Sequence, residues 1–138
     1  MKNFILILST IAISLAISCK DTDKKEIPSQ MDQVMAVHDE VMPKMSTIGR
    51  LISKIDEEMQ ATDSTEVLLK AQADLKTANS AMMAWMKGFG NRFESDEIMK
   101  GKALSKEKQR FLNEEEKKVI ALRDQMNSSI ENAEALLK

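Results

Sequence analysis

The chain has 138 residues, and its 20 Lys and Arg against 22 Asp and Glu leave a formal charge of −2. That balance excludes an electrostatic grip on DNA, RNA or an anionic bilayer. One Cys, one His, no Tyr, one Trp, two Pro and four Gly exclude a disulfide scaffold, a zinc ribbon and a Gly-rich phosphate loop, and the conspicuous surplus is methionine, with eleven copies.

Lys2 supplies a short basic start, and Phe4 to Ile17 form an apolar run of fourteen residues interrupted only by Ser9, Thr10 and Ser14. A helix needs about 20 apolar residues to cross a hydrocarbon core, so the run fits the h-region of a secretory signal and not a membrane span. It ends in Leu15-Ala16-Ile17-Ser18-Cys19, which resembles the lipobox of bacterial lipoproteins, with Ala16 where that pattern prefers Leu. The resemblance implies cleavage before Cys19 and a lipid on its thiol, so residues 1–18 are expected to be a lipoprotein signal peptide. A plain secreted protein with a buried free Cys is the alternative. The mature chain, Cys19 to Lys138, has 120 residues and a charge of −3.

Lys20 to Glu26 are all polar, and residues 19–28 read as the lipidated Cys and a flexible tether; such composition buries too little apolar surface to fold. The Lys and acidic residues after Cys19 resemble surface-export signals of Bacteroidota lipoproteins, and a generic solvated linker fits them equally well. The expected location is the cell envelope, lipid-anchored, on the periplasmic face of the outer membrane or at the cell surface.

Residues 29–138 carry helical periodicity throughout and no strand alternation. Met31, Met35, His38, Met42 and Met45 step by 4, 3, 4, 3, and Ile48, Ile52, Ile55 and Met59 continue the stripe, with Ser29 as N-cap. Pro43 falls inside the pattern, where it removes a backbone bond and predicts a kink. Asp63 to Glu66 has the spacing of a capping box. Leu68, Ala71, Leu75, Ala78, Met82, Trp85 and Phe89 form the stripe of a second helix, with Gly88 and Gly90 as its stop signals. A loop follows, with one turn near Ser95 to Met99 tucked in by Phe93. Ser105 then caps a third helix with its apolar face on Phe111, Leu112, Val119, Leu122, Met126, Ile130, Ala133 and Leu137. Glu114 to Lys118 read as a solvated charged face. The expected fold is all-α, an antiparallel up-down-up three-helix bundle with its first helix kinked at Pro43.

Antiparallel pairing of the first two helices sets His38 beside Trp85 and Met86, Met42 beside Met82, and Met35 near the end of the second helix. Reversal of the third sets Phe111 and Leu112 at the level of Met82 and Met83. Met31, Met35, Met42, Met45, Met82, Met83 and Met86 are thus expected to crowd around His38. One reading is a Cu(I) site: thioethers and an imidazole are soft or borderline donors that suit Cu(I). His38 and Met42 share a helical face, Met82 and Met86 repeat that spacing on the partner, Met35 and Met45 stand nearby, and Trp85 offers a ring face to a cation. A second reading makes the same stripe ordinary core, since Met fills irregular gaps and favours aromatic contacts. A third makes it a Met-rich groove for a protein partner.

Enzymatic chemistry is not expected. A di-iron bundle needs Glu-x-x-His, and Met35 stands three residues before the only His. A nucleophile needs an adjacent base, and Asp39 and Glu40 are expected to turn away from the face of His38.

The segments Val34-Met35-Ala36-Val37-His38-Asp39-Glu40-Val41-Met42-Pro43-Lys44-Met45, Ala81-Met82-Met83-Ala84-Trp85-Met86 and Phe111-Leu112-Asn113-Glu114-Glu115, with Ser129 to Ala133, resemble a family of short helical Bacteroidota lipoproteins often labelled "viral A-type inclusion protein". The resemblance covers most of the mature chain. It implies a helical, membrane-anchored envelope lipoprotein and transfers no catalytic residues. The expected function is a non-enzymatic binding or structural module, with copper handling through the Met/His cluster as the alternative.

Overall fold

A computed structural model describes residues 28–61 and 65–138. The signal segment, Cys19 and nearly all of the tether lie outside them, as do Asp63 and Ser64 of the expected capping box. Five helices follow in order: α1 (Gln30–Val41), α2 (Lys44–Ala61), α3 (Glu66–Arg92), α4 (Ser95–Met99) and α5 (Lys106–Leu136). The described residues form an all-α helical bundle, in which α1 and α2 are one leg broken at Pro43.

The helix ends follow from local chemistry. Ser29 caps α1: its hydroxyl accepts from the backbone N–H of Asp32, whose carboxylate accepts in turn from the N–H of Ser29. The Met42 N–H still reaches the His38 carbonyl at 2.9 Å, but Pro43 has no N–H to continue the ladder, and α2 restarts at Lys44. The break lets α1 lie along α5, where the Gln30 amide donates to Asn113 at 2.9 Å and to Glu116 at 2.6 Å. The other half-leg, α2, lies along α3, where the Gln72 amide donates to Asp56.

The direction of each leg is read from its contacts. Gln30 meets Asn113 and Lys44 meets Asn127, so the first leg runs parallel to α5. Arg92, at the end of α3, meets Glu114 and Glu115 early in α5, so α3 runs against both. Val34, Val41, Ile48, Ile55, Leu75, Met82, Leu112, Val119 and Met126 are fully enclosed between the legs. Each large apolar side chain of this kind stabilises the fold by at most about 1.5–3 kcal/mol before chain entropy is set against it.

Four expectations need correcting. The centre of the first leg's stripe is Val34, Val41, Ile48, Leu51 and Ile55, while Met35, Met42, Met45, Ile52 and Met59 flank it half-buried. α3 does not stop at Gly88 or Gly90 but continues to Arg92, because Gly is tolerated inside a long packed helix at a cost of only about 1 kcal/mol. Phe111 lies under the Arg92 guanidinium, 4.5 Å from its ring centroid, and not beside Met82. α4 and the segment to Ser105 displace the reversal, and the first turns of α5 project beyond the end of α3. Finally, Glu115 is not part of a solvated face: it occupies the buried stripe between Leu112 and Val119 and is 2% exposed, neutralised by Arg92 and Lys118, each at 2.9 Å.

Candidate functional site

A hollow of about 240 Å³ lies where the first leg, α3 and α4 meet. Its lining is Met35 and His38 from α1, Trp85, Met86, Phe89 and Gly90 from α3, and Ile98 from α4. Met35 and His38 are three residues apart, neighbours on one helix face. They lie beside the Val34–Val41 core line and not on it, which leaves His38 partly open to solvent, its side chain 18% exposed. Gly90 contributes no side chain, and a Cβ placed there would have nothing within 4 Å, so the hollow stays open on that side.

Trp85 organises the hollow's wall. Its ring centroid is 5.8 Å from that of His38 with the planes tilted 31°. It stacks on Phe89 at 4.9 Å, and Phe89 meets Phe93 at 4.8 Å. The i, i+4 spacing on α3 places Trp85 and Phe89 one above the other, and Phe93, the residue capping the helix, extends the row. Trp85 is 8% exposed, and its buried Nε1 has no hydrogen-bond partner among the described residues. Trp85 also lines a second hollow, about 560 Å³, between α3 and α5. There Ala81, Ala84 and Gly88 face Ala121 and Leu122, and Arg92 and Glu115 also line it.

His38 is oriented by its neighbour. Its Nδ1 lies 2.9 Å from Oδ1 of Asp39. The expectation that Asp39 turns away is corrected here: the Asp side chain is short enough to fold back along the helix surface. With Nδ1 donating to a carboxylate, Nε2 is the nitrogen left with a lone pair.

α4 is pinned by charge. The Glu97 carboxylate accepts from the Glu94 N–H at 2.7 Å and from Lys108 Nζ at 2.7 Å. The Glu94 N–H first, and Lys108 after it, hold the Glu97 carboxyl below the ordinary glutamate value. The bonded Glu97 holds the Lys108 amine above the ordinary lysine value. This clasp fixes Ile98 as the end wall of the His38 hollow.

The sequence candidates separate. Met35, His38, Trp85 and Met86 come together around one hollow. Met82 is fully enclosed in the core, and Met42 and Met45 pack half-buried against that core on either side of Pro43. Met31 is core as well, and Met83, expected in the same crowd, is 53% exposed. Sequence reasoning missed Phe89, Gly90 and Ile98 as lining residues. Phe89 reads as one more member of the core stripe and Gly90 as a stop signal, and Ile98 reaches the hollow only through a turn whose docking depends on Lys108. Among the described residues no group of three or more His, Cys, Asp or Glu could hold a metal ion. Comparison with models of protein families, with curated proteins and with solved structures gives no match.

Proposed function

We propose that this chain is a membrane-anchored cell-envelope lipoprotein whose helical bundle is a non-enzymatic binding module, with the His38–Trp85 hollow as its ligand site. The anchor is proposed from the signal-like run ending at Cys19 and from the resemblance to short Bacteroidota lipoproteins. Among the described residues no helix is long and apolar enough to cross a membrane, and attachment in this reading is through acyl chains, each buried CH₂ contributing about 0.8 kcal/mol.

The single observation behind the binding role is the hollow itself. One polar ring, His38, stands among apolar and aromatic walls, the pattern of a small-ligand site. Its lining has one titratable side chain and no Ser, Thr or Cys, which supports binding over nucleophilic catalysis.

Two measurements on the full chain test this. Metabolic labelling with an alkynyl fatty acid should tag the protein, and Cys19→Ala should lose both label and membrane association; an unlabelled wild-type protein contradicts the anchor. The apolar dye 1-anilinonaphthalene-8-sulfonate should bind the folded protein and accept energy from Trp85. Gly90→Leu, which narrows this hollow, should lower that transfer, and Gly88→Leu, in the second hollow that Trp85 also lines, should not; transfer lost only in Gly88→Leu contradicts the site.

A further inference from the structure

We infer that the His38 hollow is a Cu(I) site whose protein ligands are Met35, His38 and Met86, with Asp39 as the positioning residue of the imidazole. The inference rests on reading this hollow as a ligand site and names the ligand. It replaces the quartet suggested by helical spacing, because Met82 is fully enclosed and neither it nor Met42 lines the hollow.

The donor set selects the ion. Two thioethers and one imidazole line the same space, and the rest of the lining is Trp85, Phe89, Gly90 and Ile98. No carboxylate or thiolate is among them, so a hard or divalent cation would enter an apolar hollow with neutral donors only, a costly burial of charge. A soft monovalent cation asks least of such a site, and thioether with imidazole suits Cu(I). A single negative charge stands one bond away: Asp39 Oδ1, 2.9 Å from His38 Nδ1. That arrangement fixes the tautomer with Nε2 free and strengthens it as a donor, as a carboxylate does behind a metal-bound histidine. The Trp85 ring lines the hollow beside the imidazole, 5.8 Å between centroids, so its emission reports on an ion bound there.

The identity of the two Met also points this way. Both lie at half-buried positions beside the core and not in it, where Leu would fill space with better-defined rotamers if packing were the only demand.

The test uses the mature protein in detergent micelles with ascorbate, titrated with Cu(I) against bathocuproine disulfonate. One Cu(I) per chain is expected to be withdrawn from the chelator, with Trp85 emission quenched in full at one equivalent. Met35→Leu, His38→Ala and Met86→Leu should each weaken binding at least about tenfold, and Asp39→Ala, which touches the imidazole and not the metal, by about tenfold or more. Met83→Leu, at an exposed position, should bind as the wild type does. The Met→Leu changes keep volume, and circular dichroism melts of the apo variants check that the fold survives. Unchanged Trp85 emission in the unmutated protein needs no variant and overturns the proposal. So does wild-type affinity in any of the three ligand variants, which would leave Met35 and Met86 as packing partners of Trp85. Copper failure with dye binding intact removes the metal and leaves the ligand site; failure of both removes the site.

Discussion

The His38 imidazole faces the Trp85 indole across the α1–α3 seam at 5.8 Å between ring centroids. The same indole carries a buried Nε1 without a partner among the described residues, so Trp85 stabilises the bundle by its area and not by its donor. Trp85→Ala is expected to cost about 3–5 kcal/mol, as large aromatic truncations do. Trp85→Phe keeps most of the ring and deletes the orphaned N–H, and should cost less than about 1.5 kcal/mol. Urea unfolding measures both. A Phe variant as unstable as the Ala variant would show that Nε1 has an important partner.

Glycines inside and outside helices should respond with opposite sign. Gly88 lies within α3, and a Cβ there would meet nothing within 4 Å, so Gly88→Ala is expected to stabilise by about 0.5–1 kcal/mol. Gly101 has φ +66°, a left-handed conformation that costs an L-residue about 1–2 kcal/mol, so Gly101→Ala should destabilise by that order. Thermal melts of the two variants should move in opposite directions; a shared direction contradicts the assignment of Gly88 to an open helix interior.

Arg92 touches three side chains of α5 at the α3–α5 interface. It pairs with Glu114 at 2.8 Å and with Glu115 at 2.9 Å, and its guanidinium covers Phe111 at 4.5 Å. Arg92→Leu leaves the buried Glu115 carboxylate with Lys118 alone among the described residues, and should cost about 1–3 kcal/mol. Glu114→Ala, at an exposed position, should change stability far less. Equal effects in denaturant unfolding would mean that burial of Glu115 is not what makes Arg92 matter.

Acid should release α4 before the bundle unfolds. Glu97 is held below its ordinary value of 4.5 by the Glu94 N–H and then by Lys108. A depressed carboxyl stabilises the fold above its unfolded value and loses that contribution as pH falls through the folded one. Lys108, held above its ordinary value of 10.5 chiefly by the bond to Glu97, contributes below that value and loses it as pH rises through the raised one. The Ile98 methyl resonance should therefore shift toward its unfolded position as pH falls below 4.5. Glu97→Gln should show a displaced Ile98 already at neutral pH and a flat acid profile. An Ile98 resonance that titrates identically in both proteins would refute the clasp.

Much of this fold was legible in periodicity. Ser29 and Ser105 as caps, the turn at Ser95–Met99, the burial of Phe93 and the meeting of His38 with Trp85 all follow from spacing, loop length and antiparallel pairing. What failed depended on neighbours the sequence does not display. Val34 and Val41 outrank Met35 and Met42 in depth because α5 approaches from that side, and a Met-based stripe cannot reveal a rotation of one residue. The burial of Glu115 is hidden among its charged neighbours because one of its two cationic partners, Arg92, stands on another helix, while Lys118 on its own helix reads as one more solvated charge. Of the candidate site, the pairing of Met35, His38, Trp85 and Met86 came from register. The contribution of Asp39 did not, since helix geometry places a following residue on another face and only its side-chain rotamer brings it back.

X-ray absorption at the copper edge of the loaded, mature protein tests the soft-ligand site most directly. Two sulfur scatterers and one imidazole nitrogen around Cu(I), with sulfur lost in Met35→Leu and Met86→Leu, are the predicted result. A shell of nitrogen and oxygen alone, or a sulfur shell untouched by those substitutions, would contradict it.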